Sequence, residues 1–152
     1  MKSTIALTAA MLFAIAGTAP AYAYHLIPEK SDFTGMGKTS ATKNGVTLKC
    51  NASFSGTVNK KGIGFVTGGS FTGDIGCSSV GLGGLPWKSK AVSATKIKIY
   101  NVSFTSPIGD CGPGDLKAKL IDGVIKFKNV ALPGNCTVSG NITTAPALSI
   151  VP

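Results

Sequence analysis

Residues 46–58 alternate apolar and polar without a break, and that rhythm decides what kind of fold the chain can adopt. Val46, Leu48, Cys50, Ala52, Phe54, Gly56 and Val58 share one parity; Thr47, Lys49, Asn51, Ser53, Ser55 and Thr57 share the other. Successive side chains of a strand point to opposite faces, so this pattern means a half-buried β-strand. No segment after residue 23 carries the rhythm of an amphipathic helix. Asn44-Gly45 is a two-residue hairpin pair, so a strand near Phe33 to Ala41 precedes. Asn59-Lys60-Lys61-Gly62 turns the chain, and Ile63, Phe65, Gly69, Phe71, Gly73 and Ile75 carry the apolar parity on to Cys77. Pairing Val58 with Ile63 predicts Gly56 opposite Phe65 and Cys50 opposite Phe71, a register in which the apolar faces coincide.

The second half repeats the plan. Leu116, Ala118 and Leu120 alternate with Lys117 and Lys119; Asp122-Gly123 is a hairpin turn; Ile125 and Phe127 return with Lys126 and Lys128 on the other face. The predicted register sets Lys119 opposite Lys126 and Lys117 opposite Lys128. After Asn129 the parity flips to Val130 and Leu132. It flips in the same way at Asn101 within Ile97 to Phe104, which predicts a β-bulge at each Asn. Cys136 to Ile142 forms another strand, and Leu148 with Ile150 a last short one. The expected fold is all-β: an antiparallel sandwich or barrel-like sandwich of about eight strands. Gly76 to Leu85 reads as its longest loop. The glycines there are not a dinucleotide motif, since no helix follows, and Gly37-Lys38-Thr39 lacks the first glycine of a phosphate loop.

The first residues are an address. Lys2 precedes an apolar run from Ile5 to Ala16, Pro20 breaks it, and Ala21-Tyr22-Ala23 supplies the small residues a signal peptidase needs. The run is shorter than the ~20 apolar residues of a spanning helix, and no later stretch comes closer. Residues 1–23 are therefore expected to be a signal peptide and 24–152 a single secreted β domain, extracellular, periplasmic or held at the cell surface. Cys50, Cys77, Cys111 and Cys136 all lie in the exported part, and an even count there predicts two disulfides. Four cysteines allow three connectivities; flanking of the two hairpins favours Cys50–Cys77 and Cys111–Cys136. The net charge of +9 comes from lysine alone. Without arginine, bidentate reading of bases is absent, so sequence-specific nucleic-acid binding is not expected.

Catalytic constellations are missing. His25, the one histidine, falls two residues after the expected cut, in a flexible N-terminus, and cannot serve a packed triad. Asp110 and Asp115 bracket Cys111-Gly112-Pro113-Gly114 and read as turn formers. No metal site, no cofactor and no enzymatic activity are expected. Two binding features remain. Lys117, Lys119, Lys126 and Lys128 share a polar face; they form either a basic patch for anionic polymer or headgroups, or a solubilising face that blocks edge pairing. Trp87, in Leu85-Pro86-Trp87-Lys88, is either a lid on the core or an exposed contact ring.

Taken in order, Asn44 to Val58, Gly84 to Trp87, Cys111 to Gly114, Ala131 to Gly140 and Ala147 to Pro152 resemble the bacterial secreted protein activators of alkane oxidation, the A and B forms. The resemblance spans nearly the whole exported chain. It implies a small secreted protein that promotes growth on long-chain alkanes by helping to disperse or take up the hydrocarbon, with links to cell surface and biofilm. It supplies no catalytic residues. The lysine stripe departs from the Ser- and Thr-rich strand faces of that family. The implied partner is hydrocarbon or an oil–water interface, the alternative an anionic surface or matrix polymer, with self-association through strand edges. Protein recovered outside the cytosol should begin at Tyr24 and weigh about 4 Da less than its reduced form by intact mass spectrometry, one hydrogen per bonded thiol. A chain starting at Met1, or free thiols, contradicts this.

Overall fold

The computed structural model describes residues 23–152, so the expected signal peptide lies outside the described residues except for Ala23. The elements in chain order are β1 (His25–Ile27), β2 (Ser31–Lys43), β3 (Val46–Val58), β4 (Gly64–Gly73), a 3-10 turn (Cys77–Ser79), β5 (Gly81–Gly83), β6 (Trp87–Ala91), β7 (Lys96–Thr105), β8 (Cys111–Ile121), β9 (Val124–Leu132), β10 (Cys136–Ala145) and β11 (Ser149–Val151). Of the two architectures expected, the chain adopts the barrel. Eight antiparallel strands run β2-β3-β4-β6-β7-β8-β9-β10, and β10 returns to β2. β5 extends the β6 side of β7, pairing Leu82 with Phe104. β1 and β11 pair as a small sheet that brings buried Leu26 over one barrel end.

Both hairpin turns take the left-handed conformations their sequences favour. Asn44 and Gly45 have φ of 50° and 78°, Asp122 and Gly123 of 51° and 74°. Positive φ at both central positions gives the turn a twist that matches its strands. The two Asn bulges are present as well, with φ of 55° at Asn101 and 48° at Asn129. The register slips between Ile99 and Val102, and opposite Asn129 between Val138 and Gly140. Each bulged N–H finds a side-chain acceptor: Asn101 donates to Asp115 Oδ1 at 3.2 Å, Asn129 to Ser139 Oγ at 2.9 Å.

The first hairpin differs from its expected register. Val58 faces Gly64, Gly56 faces Val66, and Cys50 faces Gly73. Two local features cause the shift. Asn59 Oδ1 accepts the N–H groups of Lys61 and Ile63, which lengthens the turn. A bulge then leaves Thr67 unpaired between Val66 and Gly68. Phe65 consequently points outward, paired with Thr57 and Lys88, and Ile75 is fully exposed beyond β4. Gly76 to Leu85 is more ordered than a loop, since it holds the 3-10 turn and β5. His25 is not in a flexible tail either: it pairs with Val151 and lies 3.3 Å from Glu29.

Inside the barrel, phenylalanine rings lie over glycines. Phe33 faces Gly56, Phe54 faces both Gly35 and Gly69, and Phe127 faces Gly140. A Cβ at Gly56 would collide with the Phe33 ring and with the Phe65 carbonyl, which is backbone and cannot rotate away. Gly56→Ala should therefore cost about 1–3 kcal/mol through overpacking. Urea unfolding measures this, and an unchanged midpoint would contradict the packing.

Candidate functional site

Closure leaves a space on the barrel axis. A cavity of about 130 Å³ sits among Phe54, Phe71, Leu82, Trp87, Ile97 and Phe127, with a lining that is almost wholly carbon. Protein interiors normally pack without voids of this size. The cavity's size approaches the ~150 Å³ of an apolar cavity that stays dry and admits benzene. Among the described residues no buried side-chain polar atom lacks a hydrogen-bond partner, so nothing in the wall calls for a polar guest.

The outer face has the opposite character. Lys117, Lys119, Lys126 and Lys128 are all exposed on it. Lys119 faces Lys126 on one side and Lys96 on the other. Lys117 faces Lys98, which in turn faces Lys90. Two rows of three lysines therefore cross adjacent strands, and directly opposed like charges destabilise a sheet. Among the described residues only Lys98 of these six has an ion pair, with Asp115 at 3.3 Å, and its Nζ also lies 5.0 Å from the Tyr100 ring centroid. An open groove of about 1050 Å³ runs along this face; Lys38, Lys49 and Lys96 join the four predicted lysines in lining it, and Asp74 is its one acid.

Between β8 and β9 the two regions meet. The β8–β9 ladder covers only Lys119–Ile121 against Val124–Lys126. The predicted pairing of Lys117 with Lys128 is absent, because the ladder ends two residues earlier, at Lys119 and Lys126. From there β8 pairs with β7 and β9 with β10. Toward the far end β8 is held to the β9–β10 turn by the Gly112 N–H to Pro133 carbonyl bond at 2.8 Å, and to the start of β10 by the Cys111–Cys136 disulfide. Between these ties lies a split in the wall. Ala118, Phe127 and Val130, whose alternation points them inward, form part of the groove floor, and Phe127 also lines the central cavity.

The remaining singled-out residues are structural in this geometry. Cys50–Cys77 and Cys111–Cys136 are disulfides with Cα separations of 5.7 and 5.9 Å, within the usual range. Trp87 is buried, and its indole N–H donates to the Gly83 carbonyl at 2.7 Å. Asp115 serves Lys98 and the Asn101 bulge, while the Asp110 carbonyl and the Gly134 carbonyl accept from Lys43 Nζ. Among the described residues no three His, Cys, Asp or Glu side chains gather as metal ligands would.

A family model described as alkane oxidation protein activator PraA/PraB-like matches residues 1–152. The chain belongs to that family. No curated relative and no solved structure matches it. Within this family member, the sequence reasoning found four lysines of the outer face and missed Lys38, Lys49, Lys90, Lys96 and Lys98. The signal was present: Lys88-Ser89-Lys90 and Lys96-Ile97-Lys98 have the same i, i+2 spacing as the lysines of the second hairpin. The cavity had no sequence signal, since it depends on which strands close the barrel.

Lys119 stands between two lysines, so Lys119→Glu should stabilise the fold by about 1 kcal/mol, through attraction to Lys96 and Lys126. Chemical denaturation at low salt and at 1 M salt checks this. The gain should shrink in high salt, where exposed charges are screened.

Proposed function

We propose that the chain is an exported accessory factor of alkane oxidation that works by binding hydrocarbon at an interface, without turnover. The apolar cavity inside the closed barrel carries this reading: a small protein that keeps a carbon-lined space open on its axis is built to meet apolar material. Membership of the alkane oxidation activator family supports it. The two disulfides are compatible with life outside the cytosol. Asp115 and His25, the side chains a hydrolase would draw on, are held by Lys98 and Glu29.

Purified protein added to a deletion strain should restore growth on hexadecane in proportion to its dose, and should lower the tension of an oil–water interface. Asp110→Ala, Asp115→Ala and His25→Ala should leave both effects intact. Rescue at trace amounts that one Asp→Ala change abolishes would overturn the non-enzymatic reading.

The opposed lysine rows favour a second role, attachment to an anionic cell surface or biofilm matrix. Replacing Lys117, Lys119, Lys126 and Lys128 with Ser should abolish attachment to cells while interfacial adsorption persists. Unchanged attachment returns these lysines to solubility.

A further inference from the structure

We propose that the split between β8 and β9 binds a long-chain carboxylate, with its headgroup among Lys117, Lys119, Lys126 and Lys128 and its unbranched alkyl chain passing Phe127 into the barrel. The proposal deepens the function above and rests on it for its biological setting; the site itself rests on geometry.

Three observations converge on one place. The wall lacks ladder hydrogen bonds beyond Lys119 and Lys126, and is closed again only at Gly112–Pro133 and Cys111–Cys136. Exposed lysines surround that split, and none of the four is in an ion pair among the described residues. Below them the floor turns apolar at Ala118, Phe127 and Val130, and the Phe127 ring is shared with the central cavity.

The chemistry of the guest follows from what each part can hold. A bare anion would use the lysines and leave the cavity empty. A neutral alkane would fill the cavity and leave the lysines unused. A chain with a carboxylate at one end uses both. The carboxylate must stay at the rim, because an unpaired charge taken into a carbon-lined space is heavily penalised. Lys43, which the ladder places with the inward-facing residues of β2, already donates to the Asp110 and Gly134 carbonyls and does not supply a counter-ion inside. The cavity itself, near the size that admits benzene, takes about six carbons, so the distal part of a longer chain fits there.

Trp87 lines the cavity and is the chain's one tryptophan, so its fluorescence reports occupation. The disulfide-intact protein is titrated with hexanoate, laurate, dodecan-1-ol and phosphatidylglycerol vesicles. Laurate should bind one-to-one, at least tenfold tighter than hexanoate, because the longer chain reaches the cavity, and at least tenfold tighter than dodecan-1-ol. Salt at 0.5 M should weaken laurate and leave dodecan-1-ol unchanged. The variant with all four lysines replaced by Ser, its fold verified by its thermal melt, should bind laurate no better than dodecan-1-ol. Equal affinity for hexanoate and laurate would mean surface ion binding and overturn the proposal. So would equal affinity of the native protein for laurate and dodecan-1-ol, or response to vesicles alone. Laurate binding without growth rescue on hexadecane strikes the proposed function and leaves the site standing; growth rescue without laurate binding strikes the site.

Discussion

The ladder between β7 and β8 turns a nine-stranded sheet into a barrel. Without it β8 would be an open edge, with unpaired backbone groups free to recruit another chain. Joining the ends also gives the period-2 rhythm its meaning. Each strand then has one face on a shared axis and one on water, so Leu116 and Ala118 lie beside Ile99 and Ile97 of the neighbouring strand on the inner face, with Leu120 following them, while Lys117 and Lys119 stand outside. The small β1–β11 sheet covers one end of this interior, and the two disulfides sit toward the other.

Closure alone would not leave a cavity. The distribution of volume along the strands does that. Phe33, Phe54 and Phe127 each lie against a glycine on the neighbouring strand, so the ring occupies the space of a missing side chain close to the wall. β2 contributes Gly35 and Gly37 at successive inward positions. Rings laid against glycines line the barrel without filling its axis. The same rings make Gly56, Gly69 and Gly140 intolerant of a Cβ, and at Gly35 the Ile142 side chain already occupies its place.

Much of this was legible in the sequence wherever the signal was local. Asn44-Gly45 and Asp122-Gly123 specify their turns through positive φ, and the parity flips at Asn101 and Asn129 mark real bulges. The second-hairpin register followed from turn geometry as far as Lys119 and Lys126. The first hairpin escaped because its register depends on the Asn59 side chain in the turn and on an unpaired Thr67, neither of which disturbs the simple alternation. β5 escaped because three residues among glycines carry no clear rhythm, and β6 because its alternation, Trp87-Lys88-Ser89-Lys90-Ala91, spans only five residues. The groove and cavity escaped for a different reason. They arise from neighbours far apart in sequence, such as Lys96 beside Lys119 or Phe54 beside Gly69, which no local pattern can announce.

The opening and the charge around it come from the same residues. Two further pairs of the β8–β9 ladder would set Lys117 against Lys128, next to the row already formed by Lys96, Lys119 and Lys126. Like charges placed directly opposite oppose pairing. At the same point β9 bulges: Asn129 turns its N–H toward Ser139 on β10, and the strand follows β10 away from β8. Repulsion on one side and a bulge on the other thus act together to end the ladder. The Gly112–Pro133 hydrogen bond and the Cys111–Cys136 disulfide then hold β8 to the β9–β10 turn and to β10. A counter-anion among these lysines would relieve the repulsion that helps to keep the wall open. Headgroup binding and closure of the split are therefore coupled through the same four side chains.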